Sequence, residues 1–183
     1  MTEMEFFEST LANEINVELL KRLRSLPLPG CHLTAGCLFQ SIWNLKSGKA
    51  AQWGIKDYDV FYFDNDTSWD AESHVIQIVS ESTADLRVSV EVRNQARVHL
   101  WYPQKFGRSY PQLHSTRDGI DRYLICCTCV GIDVATGELY APNGLGELES
   151  GVLRMNPRNP QLDLFHAKAL SYQSRWPWLT IVQ

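Results

Sequence analysis

No run of lysine or arginine occurs anywhere in the chain, and acidic residues outnumber basic ones, 21 to 17. That excludes the electrostatic footprint with which proteins grip long nucleic acid. It leaves room for a nucleotide or an RNA end, where a few side chains suffice. Long apolar runs are also missing. The longest, around Tyr123 to Ile132, is about half of what a membrane span needs, so no membrane partner is expected. Met1 to Asn13 carries three glutamates and neither a basic start nor an apolar centre, so it does not read as a signal peptide. The five cysteines, Cys31, Cys37, Cys126, Cys127 and Cys129, are an odd number, and the one C-x2-C spacing, Cys126 to Cys129, has no second cysteine pair or matching histidine set. Neither a disulfide framework nor a zinc site fits them, and the expectation is buried strand cysteines in a reducing cytoplasm. Repeats, low-complexity stretches and linkers are absent, so 183 residues make a single domain. Its core is expected over about 9–108, with an extension over about 109–183.

What is present begins with Gly54 to Asp64, Gly-Ile-Lys-Asp-Tyr-Asp-Val-Phe-Tyr-Phe-Asp. The aromatic and β-branched run from Val60 to Phe63 predicts a strand. Alternation then sends Asp57 and Asp59 to one face and Tyr58 to the other. Two carboxylates held side by side repel, so either one keeps its proton or a cation sits between them. Hard oxygen ligands on a rigid strand suit Mg²⁺. By itself Asp-x-Asp is more often an acidic strand start facing water.

The surrounding sequence predicts a helix from Ser9 to about Ser25, capped by Ser9 or Thr10. A short strand runs to Ala35, with a tight turn at Gly36 and a helix over Leu38 to Leu45. A strand, a glycine turn and a helix start can hold a phosphate. Ser68 caps a helix to about Glu81, with Ile76 and Val79 inward. Leu86 to Arg93 alternates strictly, with Val88, Val90 and Val92 on one face and Ser89, Glu91 and Arg93 on the other. If that strand lies beside the Asp57–Asp59 strand, Glu91 becomes a third metal ligand. Asn94 onward reads as a helix ending at Pro103. Arg93 and Arg97 either contact phosphate or pair with acids. Thr116 or Asp118 caps a short helix through Tyr123. Leu124 to Val134 and Glu138 to Tyr140 read as a hairpin turning at Gly137. Helices close the chain at 145–149 and 162–176.

Taken in order, these pieces resemble the nucleotidyltransferase superfamily related to DNA polymerase beta. There a Gly-Ser or Gly-Gly turn precedes a strand with Asp-x-Asp, and a third carboxylate lies on a neighbouring strand. Gly54 to Phe63 and Val90 to Tyr102 carry the closest likeness, to a bacterial nucleotidyltransferase-like family. Two features depart from the pattern. Position 37 is Cys where Ser or Gly is usual, and the stretch from Gly36 to Asp57 is longer than in compact members.

The resemblance implies an α+β fold, a mixed and mostly antiparallel sheet with helices packed on one side. It implies Mg²⁺ or Mn²⁺ at Asp57, Asp59 and Glu91, with Glu91 as ligand or base. Nucleoside triphosphate, ATP or another, would lie along Gly36 and Cys37, steadied by Lys56, Arg93 or Arg97. The implied reaction moves a nucleoside monophosphate to an acceptor, which is a small molecule, a protein or an RNA end. A nucleotide-binding module without turnover is the alternative. A haloacid dehalogenase-type phosphatase is disfavoured by Phe61, and a glycosyltransferase by the short chain.

Overall fold

The computed structural model describes residues 1–182. The chain opens with two helices, α1 (Glu3–Leu11) and α2 (Glu14–Leu23), where the sequence predicts one. Asn13 divides them. Its backbone is extended, and its side-chain oxygen accepts the N–H of Ile15, so it caps α2 in place of continuing α1. Its amide nitrogen donates to Ser41 Oγ at 3.2 Å and to the Tyr58 hydroxyl at 3.3 Å, which ties the break to the sheet.

Strand β1 (His32–Thr34) follows, then α3 (Gly36–Lys46), β2 (Asp57–Tyr62), α4 (Trp69–Thr83), β3 (Ser89–Asn94), α5 (Val98–Phe106) and α6 (Thr116–Ile120). The second half adds β4 (Gly131–Asp133), β5 (Leu139–Tyr140), α7 (Gly146–Ser150), β6 (Val152–Arg154), α8 (Leu162–Arg175) and β7 (Thr180–Val182). Five strands form one mixed sheet in the order β3-β2-β1-β4-β5. β2 and β3 are parallel, and the other pairs are antiparallel. α4 is the crossover that a parallel pair requires. β6 and β7 form a separate parallel pair that the sequence did not announce.

The sheet has one apolar face. Leu33 pairs with Val60 on one side and Ile132 on the other, and all three are fully or almost fully buried with Tyr58, Tyr62 and Val92. α3 packs against this side, buried along nearly its whole length from Gly36 to Asn44. The core continues into the second half, where Trp43 meets Trp176 edge-on at 5.3 Å. β4 and β5 therefore extend the same sheet that carries Asp57.

Several element boundaries differ from expectation. Ser68 caps α4 as predicted, and Val79 is buried, but Ile76 is exposed. Pro103 sits inside α5, and the helix ends on Gly107, at φ +66. Ser115 caps α6, accepting the N–H of Asp118. Of the run Leu124 to Val134, Cys126–Thr128 form a 3-10 turn and only Gly131–Asp133 are strand.

Candidate active site

The pleat sends Tyr58, Val60 and Tyr62 into the core and leaves Asp57, Asp59 and Phe61 half-buried on the other face. Parallel pairing sets Asp59 opposite Glu91, Asp57 opposite Ser89 and Phe61 opposite Arg93. Directly paired residues share a face. The three acids predicted from the sequence are therefore neighbours on one side of two adjoining strands.

They line a cleft of about 420 Å³, within the usual range for small-molecule sites. Its electrostatics follow from this crowding. Burial, and then the charges of Asp57 and Glu91, push the Asp59 carboxyl up to about 7, with Lys168 and Arg93 pulling the other way. The Glu91 carboxylate leans toward Arg93, with 3.7 Å between Oε2 and Nη2. Among the described residues no three His, Cys, Asp or Glu side chains are drawn together as a ready-made metal cage. The donor set nevertheless suits a hard divalent cation: carboxylate oxygens only, and one acid whose ionisation its neighbours oppose.

The turn before α3 is tight, but its strained residue is Ala35, not Gly36. Ala35 adopts φ +63 and ψ −140, a region where only glycine is at ease. Gly36 has an ordinary φ. A Cβ there would stand 2.4 Å from Nε2 of Gln40, one helical turn further on. Ala35, Gly36 and Gln40 all line the cleft.

Three of the predicted nucleotide-binding residues lie elsewhere. The Cys37 thiol is fully buried and donates to the Thr34 carbonyl at 3.2 Å, and burial raises its pKa well above the ordinary value. Lys56 is exposed just before β2 and is not part of the cleft wall. Arg97 is buried against Glu72, 3.1 Å between Nη1 and Oε2, and donates to the Ser68 carbonyl. It stacks on Trp69 and fastens α4 to the turn before α5. Of the predicted cations only Arg93 reaches the cleft.

Cations and aromatic rings that the sequence did not single out fill those places. Lys168 on α8, Lys105 on α5 and Arg122 after α6 line the cleft with Tyr102, Tyr110 and Tyr123. Tyr102 and Tyr110 lie 4.5 Å apart, centroid to centroid, and Phe61 lies 5.9 Å from Tyr123. No local pattern marks Lys168, because the last helix meets the acids only through folding. Gln40 had a signal, its one-turn spacing from Gly36 on the same helix.

No helix among the described residues is long and apolar enough to cross a membrane. A search of curated proteins finds no match. One solved structure, described as an NMR structure that "reveals a CCA-adding enzyme head domain", is similar over 100% of this chain and 96% of its own, at 25% identity and a TM-score of 0.79. A nucleotidyltransferase family model matches residues 21–181. That match takes in the acidic strands, the glycine turn and the last helix alike, so the chain belongs to the nucleotidyltransferase family.

Proposed function

We propose that this cleft transfers a nucleoside monophosphate from a nucleoside triphosphate to an acceptor hydroxyl. The acceptor oxygen attacks the α-phosphorus, the bond from that phosphorus to the bridging oxygen breaks, and pyrophosphate leaves. Asp57 and Asp59 would hold Mg²⁺ or Mn²⁺, with Glu91 as a third ligand or as acceptor of the hydroxyl proton. A divalent cation there supplies charge neutralisation on the phosphoryl oxygens and a lowered pKa for the hydroxyl. Lys168 and Arg93 face the same acids. They would offset the charge of the triphosphate, which carboxylates alone would repel. The tyrosine wall offers flat faces for a nucleobase.

The observation that carries this reading is the register of β2 on β3, which sets Asp59 against Glu91 on the cleft side. The neighbouring structure's description as a CCA-adding enzyme head domain favours an RNA 3′ end among the possible acceptors. The test is incubation with each labelled triphosphate, Mg²⁺ or Mn²⁺, and either RNA or cell extract, reading both label transfer and pyrophosphate. Asp57→Ala and Asp59→Asn are expected to abolish metal-dependent release. Normal turnover in both variants would refute the reading.

A second reading, a nucleotide-binding module without turnover, is favoured by one observation. Glu91 is engaged by Arg93 and does not close on the aspartates. Nucleotide binding with no pyrophosphate release from any acceptor would select it.

A further inference from the structure

The glycine turn needs a donor aimed at the ligand, and Cys37 does not supply one, because its thiol points into the core. Gln40 stands where such a donor would be needed. Its side chain is 8% exposed, and it lines the cleft. Its Oε1 accepts from Arg175 Nη1 at 3.0 Å. A guanidinium can only donate, so this contact fixes which end of the amide is oxygen. The Nε2 end is turned toward Gly36, in the space that a Cβ would fill. Among the described residues the Gln40 side chain hydrogen-bonds only through its oxygen, to Arg175.

Arg175 is itself held for this task. It lies over Trp176, 4.4 Å from the ring centroid, and 5.3 Å from that of Tyr172. Its Nη1 also donates to the Gly54 carbonyl at 3.4 Å, and its Nε is buried without a partner. Gln40 is its one side-chain acceptor there. The half-buried guanidinium thus holds the oxygen end of the amide and leaves the nitrogen end free to donate.

We infer that the Gln40 amide, oriented by Arg175 and given room by Gly36, is a phosphate-binding donor at the start of α3. With the first N–H groups of that helix it would hold an oxygen of a condensed phosphate. A neutral amide serves here where a cation would be drawn into pairing with the nearby acids. The inference deepens the proposed reaction and rests on it for the identity of the physiological ligand. Gln40 is the group in contact, and Arg175 is a positioning residue.

The test uses the full chain and inorganic tripolyphosphate as probe, titrated calorimetrically with and without Mg²⁺. Gln40→Glu keeps the Arg175 contact but replaces the donor with a repelling oxygen. It is expected to weaken tripolyphosphate binding at least ten-fold without lowering the thermal midpoint. Gly36→Ala, which displaces only the flexible end of Gln40, is expected to do the same. Arg175→Met is expected to match Gln40→Ala, and the double variant to be no worse than Gln40→Ala alone, since both remove one donor. Additive losses would reduce Arg175 to a packing residue and overturn the positioning claim. Undiminished binding in Gln40→Glu, or no binding by the parent chain at millimolar probe, would overturn the whole inference. Binding that depends on Gln40 in a protein that transfers nothing would leave this inference standing and sink the proposed reaction. Full transfer activity in Gln40→Glu would do the reverse.

Discussion

Asp59 and Glu91 stand directly opposite each other on parallel strands, both facing the cleft, yet Glu91 turns its carboxylate toward Arg93. The pair therefore shares a face of the cleft, while Glu91 also answers to a cation. Asp59, the more enclosed of the two, carries the strain as a carboxyl pushed up to about 7 by burial and by its two acidic neighbours.

This strain makes the metal-free protein sensitive to pH. The folded chain keeps the Asp59 proton to about pH 7, whereas the unfolded chain releases it near pH 4 or so. The folded state thus binds more protons across that window, and its stability falls as pH rises from about 4 to about 7. Asp59→Asn removes the effect. In EDTA at pH 8 it is expected to be more stable than the parent, by on the order of a few kcal/mol at most, and the two should converge near pH 4. Urea unfolding at both pH values measures this. Equal stability of parent and variant at pH 8 would mean that the acids do not strain one another.

Arg97 gives the contrasting case, a cation predicted for the substrate and used by the fold. Its partner Glu72 is buried, and that carboxylate also accepts the N–H of Asn94 at the end of β3. Arg97→Met leaves Glu72 charged and unpaired, which is expected to cost about 3–5 kcal/mol in urea unfolding. Nucleotide affinity of the folded variant should change less than two-fold. Weakened nucleotide binding with stability intact would return Arg97 to the cleft.

Cys37 behaves similarly. Its thiol faces the Thr34 carbonyl, away from the cleft. Cys37→Ser is therefore expected to cost about 1 kcal/mol, the scale of one altered buried polar contact. Titration with triphosphate should show unchanged affinity. A ten-fold gain on restoring a hydroxyl would show that position 37 reaches the phosphate after all.

The acids were legible in the sequence because they obey a local rule. Alternation on β2 and β3 fixes which side chains share a face, and only the strand pairing remained to be learned. The glycine turn was legible in place but not in detail. Gly36 marked the corner, while the positive φ fell on Ala35 and the reason for Gly36 was the Gln40 amide. The break at Asn13 was hidden because leucines on either side kept a helical period through it. Two of the three predicted cations lie elsewhere for a different reason. Lys56, Arg93 and Arg97 are near the acids in sequence, and proximity favoured them, but burial beside Glu72 captured Arg97, and Lys56 stays outside the cleft. Lys168 and Arg175 come from the last helix, and nothing short of the folded chain brings them to β2 and α3.

Lys168 allows the sharpest test of that long-range assembly. It is the first of the charges that hold the Asp59 carboxyl down, and it lines the cleft beside Tyr172, with Nζ 5.4 Å from the ring centroid. Removing the charge leaves the repulsion by Asp57 and Glu91 unopposed on that side. Lys168→Met is therefore expected to raise the Asp59 pKa further. The rising limb of the pH profile for metal-dependent pyrophosphate release should then move toward alkaline pH, by about half a pH unit. KM for the triphosphate should rise as well, since the proposed reaction uses this lysine to offset phosphate charge. Lys168→Arg should restore both. Replacement by Met with neither the profile nor KM altered would mean that α8 does not hold its lysine over the acids in the working protein.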